Sequence, residues 1–168
     1  MDKIRISAVK YANTYPFIFG LKESRLDDRV ILETDHPADC AKKLISGKAD
    51  IGLVPVASLP LIKEYHIISD FCIGTNGIVR TVLLLSNCPF EEIATIYLDY
   101  RSLSSITLTK VLAKNFWERE FIWINTSKEF DFKNIGLHEA VVLIGDQCFE
   151  YETSFRYKLD LGLEWNRY

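Results

Sequence analysis

Four short polar segments of this chain carry side chains able to hold an anion. The densest is Asp99-Tyr100-Arg101-Ser102-Leu103-Ser104-Ser105, with Thr107 close behind. Its hydroxyls, together with the unpaired N–H groups of a helix start, suit a carboxylate or phosphate oxygen, because the first helical turn leaves its amides free and carries partial positive charge. Asn13-Thr14 lies in a loop after an alternating apolar segment and can donate to a ligand carboxylate. Ser58 follows the third strand pattern, and Gly145-Asp146 follows Val141-Val142-Leu143-Ile144, setting a flexible glycine beside a carboxylate. Asp99 can orient a base, accept a ligand hydroxyl or close a turn. Every one of these residues is also explained, taken singly, as an ordinary helix cap or turn former; a cap is worth about 1 kcal/mol.

Other chemistries lack their residues. His36, His66 and His138 show no metal spacing, and Cys40, Cys72, Cys88 and Cys148 lie far apart without a Cys-x-x-Cys pair. The histidines read as caps or surface residues and the cysteines as buried free thiols, so no metal and no cofactor is expected. There is no Gly-x-Gly-x-x-Gly, Walker loop or Gly-x-Ser-x-Gly elbow, which removes the signatures of dinucleotide, P-loop and α/β-hydrolase chemistry. The 20 basic and 23 acidic residues leave a net charge of −3, with neither half basic enough to favour a nucleic-acid partner. The longest apolar runs, such as Ile78–Ser86, fall far short of the roughly 20 residues of a membrane helix. No secretory signal precedes the first strand pattern, so the reading is a cytoplasmic protein with no membrane partner.

The elements that must position these groups alternate between two periods. Ile4, Ile6 and Ala8 recur at period two, and a helical stretch opens at Asn13-Thr14-Tyr15-Pro16 and runs to about Lys22. Val30–Glu33 reads as a strand. Pro37 then favours a helix start, Ala41, Leu44 and Ile45 form its apolar face, and Gly47 ends it. Ala49–Val54 is nearly continuously apolar, as in a parallel strand covered on both faces, and a helix is expected from Pro55 to about Tyr65. Strands are expected near Ile67–Ile73 and Ile78–Leu85, joined by the turn Gly74–Gly77. After Asn87-Cys88-Pro89 the pattern restarts, with strands at Ala94–Leu98, Phe121–Ile124 and Ala140–Ile144 and a helix at Ser104–Trp117. Asn125–Leu137 is long and weakly patterned. The fold class expected is therefore α/β, with two lobes of parallel or mixed sheets and flanking helices, one spanning residues 1–86 and the other 87–168. In such sheets ligands sit beyond the carboxyl ends of the strands, where the four polar segments fall.

With those residues in view, the chain resembles the chorismate dehydratase family of the futalosine route to menaquinone, a relative of the type II periplasmic-binding-protein fold. The segments that carry the resemblance are Ile6–Pro16, Gly47–Ser58, Gly77–Ser86, Leu98–Leu108 and Leu143–Asp146, in that order. Leu98–Leu108 is similar to the family pattern Asp-x-x-Ser-Arg-Thr-Ser, with two departures: Leu103 stands where Arg is common and Ser104 where Thr is. Family members extend beyond Tyr168, so the resemblance implies a chain lacking a C-terminal segment. An apolar patch exposed by that lack would favour a homo-oligomer.

The resemblance implies a carbon–oxygen lyase that removes water from chorismate to give 3-[(1-carboxyvinyl)oxy]benzoate, with aromatisation as the driving force. The protein would hold a small dicarboxylate between the lobes and align the departing hydroxyl and proton. Asn13 and Ser104 are the catalytic candidates. Thr14, Ser58, Arg80, Asp99, Arg101, Ser102, Ser105, Gly145 and Asp146 are the substrate-binding candidates, with Arg80 or Arg101 as the charge partner. No residue stands out as the base, which leaves the proton to the substrate's own carboxylate. Two other readings accompany this one: a non-catalytic module that binds a small anion, and the sister 1,4-dihydroxy-6-naphthoate synthase.

Overall fold

The computed structural model describes residues 2–26 and 28–168, and the chain divides into two compact units, Met1–Ile73 and Gly74–Tyr168. The first unit is built on a three-stranded parallel sheet of β1 (Ile4–Val9), β2 (Val30–Asp35) and β3 (Ile51–Gly52), in the order β2-β1-β3. Helix α1 (Tyr15–Glu23) joins β1 to β2, and α2 (Pro37–Ile45) joins β2 to β3. Both helices place a proline in their first turn, where the ring's fixed φ suits the helix and its missing N–H costs nothing. Gly47 follows α2 at φ +68, the left-handed C′ position that its lack of a Cβ makes accessible.

Two charged contacts tie this sheet together. Arg5 and Asp50 form a bidentate pair at 2.7 and 3.0 Å, with a further bond from the Arg5 amide at 2.8 Å. The hydrogen bonds from Arg5 hold the Asp50 carboxyl down at about 2, although both side chains are solvent-exposed. Lys43 on α2 reaches Asp35 and Glu33, both at 2.6 Å, and Ser7 donates to Asp35 at 2.8 Å. Burial alone would raise the Asp35 pKa; the bonds from Lys43 and Ser7 outweigh it and leave the carboxyl below its ordinary value.

The second unit carries a mixed five-stranded sheet in the order β6-β5-β7-β4-β8: β4 (Val82–Ser86), β5 (Thr95–Leu98), β6 (Ile122–Asn125), β7 (Glu139–Ile144) and β8 (Tyr157–Asp160). Strands β5, β6 and β7 are mutually parallel, whereas β4 runs antiparallel to both β7 and β8. Both faces of the central strands are covered, which explains the unbroken apolar run of β7. Leu84, Ala140 and Val142 pack beneath α3 (Leu103–Asn115) and α5 (Leu161–Arg167) with Leu112 and Leu161. Leu83, Leu85, Val141 and Leu143 face Phe132, Cys148 and Phe155, with the weakly patterned Asn125–Leu137 stretch contributing Phe130, Phe132 and Ile135. A short helix, α4 (Gln147–Tyr151), leaves β7.

Four expectations change. The divide falls after Ile73 rather than after Ser86, because β4 belongs to the second sheet. Residues 67–73 form no strand: they pair with no neighbour, and Ile67 and Phe71 are 79% and 80% exposed. Residues 78–81 likewise lie outside β4, and the expected helix after Pro55 is a 3-10 turn, Val56–Leu61, interrupted by Pro60. Strand β8 and helix α5 were not anticipated. Cys40, Cys88 and Cys148 are buried as expected, while Cys72 is exposed. Among the described residues no helix is long and apolar enough to cross a membrane.

The pKa directions fix the pH response of the first unit. Asp35 and Asp50 titrate lower in the folded chain than in the unfolded one, so their stabilisation is complete above the unfolded carboxylate value and disappears as pH falls through the folded value, about 2 for Asp50. Lys43 is shifted upward, so its contribution is lost only on the alkaline side, above the ordinary lysine range. Thermal denaturation should therefore show Tm falling below about pH 4. Asp50→Asn should make that acid limb shallower, and high salt should weaken the Asp50 share because the pair is exposed.

Candidate functional site

In the first unit the site candidates follow the carboxyl ends of adjacent parallel strands. Ala12–Thr14 forms a 3-10 turn after β1, and the Thr14 amide donates to the Tyr11 carbonyl at 3.0 Å. Thr14 is fully buried, yet its hydroxyl has no hydrogen-bond partner among the described residues. Asn13 beside it is exposed. Ser58 follows β3 and is also fully buried, but its hydroxyl donates to the Pro55 carbonyl at 2.6 Å and so closes its own turn. A buried hydroxyl without a partner is a rare and costly arrangement, which singles out Thr14 over Ser58.

In the second unit the sheet collects four separated segments at one edge. Strands β5 and β7 end at Leu98 and Ile144, and β4, being antiparallel, begins there with Val82 opposite Ile144. The Gly145 amide donates to the Thr81 carbonyl at 2.9 Å, with Gly145 at φ +65. Asp99 is fully buried after β5, and Arg101 closes on both of its oxygens, with Nε at 2.8 Å and the main-chain amide at 3.1 Å. The same guanidinium also donates to the side-chain Oε1 of Gln147 on α4. Arg101 thus straps the loop after β5 to the loop after β7.

The hydroxyls of the α3 entry divide their tasks. Ser102 is the N-cap, accepting from the Ser105 amide at 3.2 Å and sharing a 2.8 Å hydroxyl contact with Ser105. Thr109 donates back to the Ser105 carbonyl at 2.7 Å. Ser104 occupies the second helical position, and its Oγ is occluded without a partner. That hydroxyl and the Leu103 and Ser104 amides at the start of a 13-residue helix are polar groups the fold leaves unspent at this entry.

Arg80 stands at the same edge, one residue ahead of Thr81. It is exposed, adopts φ +62, and its guanidinium has no hydrogen-bond or ion-pair partner among the described residues. Asp146 is exposed and makes no capping bond to α4. Cys148 is buried beneath this edge, donates to the Leu143 carbonyl at 3.3 Å, and is pushed up to about 12 by burial, which leaves it inert as a nucleophile. Among the described residues no cluster of metal-ligating groups occurs.

The structure therefore assembles Arg80, Asp99, Arg101, Ser102, Ser104, Ser105, Gly145 and Asp146 at one edge of the second sheet, and Asn13, Thr14 and Ser58 at one edge of the first. It changes the reading of two of them. Asp99 and Arg101, expected to contact a ligand, are committed to one another instead, with both Asp99 oxygens already paired. Sequence reasoning missed Asp160 as a partner at this edge. Asp160-Leu161-Gly162 after the alternating Tyr157–Leu159 was the available signal, an acidic cap followed by a glycine.

Residues 4–168 match the model of a family described as menaquinone biosynthesis. No curated protein matches the chain. Among solved structures, a protein from Archaeoglobus fulgidus aligns at TM-score 0.65 and 13% identity over 98% of this chain and 62% of its own. An ATP phosphoribosyl transferase complex from Thermotoga maritima aligns at 0.55 and 17% over 94% and 83%, and an ABC transporter from Parabacteroides distasonis at 0.51 and 19% over 95% and 59%. The chain thus spans less than two thirds of two of these three structures. At such identities the likeness is one of fold, and the fold is α/β of the type II periplasmic-binding-protein kind.

The division of labour at the α3 entry yields a contrast that needs no ligand. Ser102→Ala should cost about 1 kcal/mol in denaturant unfolding, as the loss of an N-cap does. Ser104→Ala should be neutral or stabilising, because it removes a buried hydroxyl that has no partner. Arg101→Ala should cost about 3–5 kcal/mol by leaving Asp99 buried and unpaired.

Proposed function

Since the chain belongs to the menaquinone biosynthesis family, we propose that it is a chorismate dehydratase, a carbon–oxygen lyase yielding 3-[(1-carboxyvinyl)oxy]benzoate and water. The observation that carries this reading is the Ser104 hydroxyl, occluded and unpartnered at the start of α3, at the sheet edge that also presents the free Arg80 guanidinium. Such a set suits a carboxylate: amides and a hydroxyl supply directed donors, and the guanidinium supplies the charge.

In this reading the ring C–O bond of chorismate breaks, and the adjacent C–H bond breaks with it. The C–H electron pair becomes the third double bond of the ring, and the proton leaves with the hydroxyl as water. The α3 entry holds one carboxylate through the Ser104 hydroxyl and the Leu103 and Ser104 amides, while Ser102 and Ser105 fix the turn that presents them. In the first unit, Asn13 carries an exposed side-chain amide, with one donor face and one acceptor face, of the kind a departing hydroxyl requires. Thr14 keeps an unspent hydroxyl beside it. The family membership and the placement of these groups support the assignment; no side chain at either edge is needed as a base if the substrate carboxylate takes the proton. Asp99 and Arg101 serve by fixing the loop that presents Ser104.

Chorismate incubated with the purified chain, followed by mass spectrometry against a no-enzyme control, should show loss of one water. Asn13→Ala and Ser104→Ala should each lower kcat/KM by about 10²–10³, the usual cost of one preorganised donor. Asp146→Asn should retain activity. Unchanged chorismate that nevertheless protects the chain against thermal unfolding would favour a binding module instead. Turnover abolished by His66→Ala alone would sink the residue assignment.

A further inference from the structure

Arg80 owes its place to a single carboxylate eighty residues further along the chain. Asp160 ends β8 at the same sheet edge and is half-buried. Its two oxygens accept four main-chain amides: Val79 at 3.1 Å, Arg80 at 2.7 Å, Gly162 at 3.0 Å and Leu163 at 3.1 Å. Two of these belong to the segment carrying Arg80, and the other two are the first-turn amides of α5. One carboxylate therefore caps a helix and clamps the approach to β4.

The clamped backbone is strained. Arg80 sits at φ +62, where a Cβ crowds the neighbouring carbonyl and where residues other than glycine, asparagine and aspartate rarely settle. Among the described residues with φ above zero other than glycine, Arg80 is the one whose own amide rests on a carboxylate. A close approach locks the same segment from beneath: a Cβ on Gly162 would stand 2.5 Å from the Gly77 carbonyl oxygen and 3.1 Å from the Val79 Cβ. Arg80, so held, spends its guanidinium on no other described residue. An arginine kept in a left-handed conformation by main-chain hydrogen bonds to a carboxylate, with its charge left free, has the form of a presented ligand contact rather than a structural strut.

We propose that Asp160, with Gly162, is the positioning device for Arg80, and that it acts on substrate binding through the Val79-Arg80 backbone without touching substrate. The proposal rests on the reading of Arg80 as the charge partner of a substrate carboxylate. Arg80→Ala should raise the chorismate KM at least tenfold with kcat largely kept, since a contact equal in ground and transition states is lost. Asp160→Ala should raise KM comparably, and the double variant should be no worse than Arg80→Ala alone. Gly162→Ala, which keeps the carboxylate but forces the 77–79 segment away, should give the same KM shift, and it covers the case in which Asp160→Ala does not fold. Arg80→Gly should melt higher than Arg80→Ala, because glycine adopts the left-handed conformation freely.

A folded Asp160→Ala or Gly162→Ala variant with a lowered Tm but an unchanged KM would overturn the proposal, as would KM effects that multiply in the double variant. Sulfate separates this failure from that of the dehydratase reading. If the wild type neither binds nor converts chorismate, a sulfate-induced rise in Tm that is lost alike in Arg80→Gly and Asp160→Ala would keep the positioning role. No rise in the wild type, or an equal rise in all three, would end it.

Discussion

The second unit is organised by the direction of one strand. Strand β4 enters the sheet between β7 and β8 and runs against both. Its start, not its end, therefore lies at the edge where β5, β7 and β8 terminate. That reversal delivers Arg80 and Thr81 to the loops that follow the parallel strands, and it sets the Thr81 carbonyl against the Gly145 amide. With Leu83, Leu84 and Leu85 almost wholly buried, a shift of β4 by one residue would turn its apolar faces over and move every group attached to its start. The strand register and the site geometry are thus one constraint.

Charge at this edge is handled by pairing what is buried and freeing what is not. Asp99 loses all contact with water, and the cost of that burial is offset by a bidentate arginine that also reaches Gln147. Such a pair adds little net stability compared with apolar packing, but it fixes two loops relative to each other. Asp160 solves a different problem, because its carboxylate accepts main-chain amides only and leaves the arginine it positions uncommitted. The polar groups the fold has not used are the occluded Ser104 hydroxyl and the exposed Arg80 guanidinium in one unit, and the buried Thr14 hydroxyl and the exposed Asn13 amide in the other.

Local pattern made much of the fold legible. Period-two alternation located β1, the continuous apolar run located β7, and Pro37 with Gly47 bracketed α2, because each of these signals reports the burial or backbone freedom of its own residues. The same signal misled at Ile67–Ile73, where an apolar sequence suited to a strand finds no partner to complete a ladder and stands exposed. It also put the divide at Ser86 instead of Ile73, since an apolar run shows that β4 is a strand and not which sheet accepts it.

The sequence by itself determined that the chain is α/β, that its polar loops fall at strand ends, and that the α3 entry is rich in hydroxyls. Which hydroxyl is spent was decided only in three dimensions. Ser102, Ser104 and Ser105 are the same chemical group within four positions, yet Ser102 caps the helix, Ser105 leans on it, and Ser104 is left over. Only tertiary structure could likewise convert Asp99 from a ligand candidate into an anchor, or bring Asp160 to Arg80 across eighty residues. The physical reason is that a strand's pattern encodes burial, a local quantity, whereas a hydrogen bond's partner depends on where another segment of the chain comes to rest.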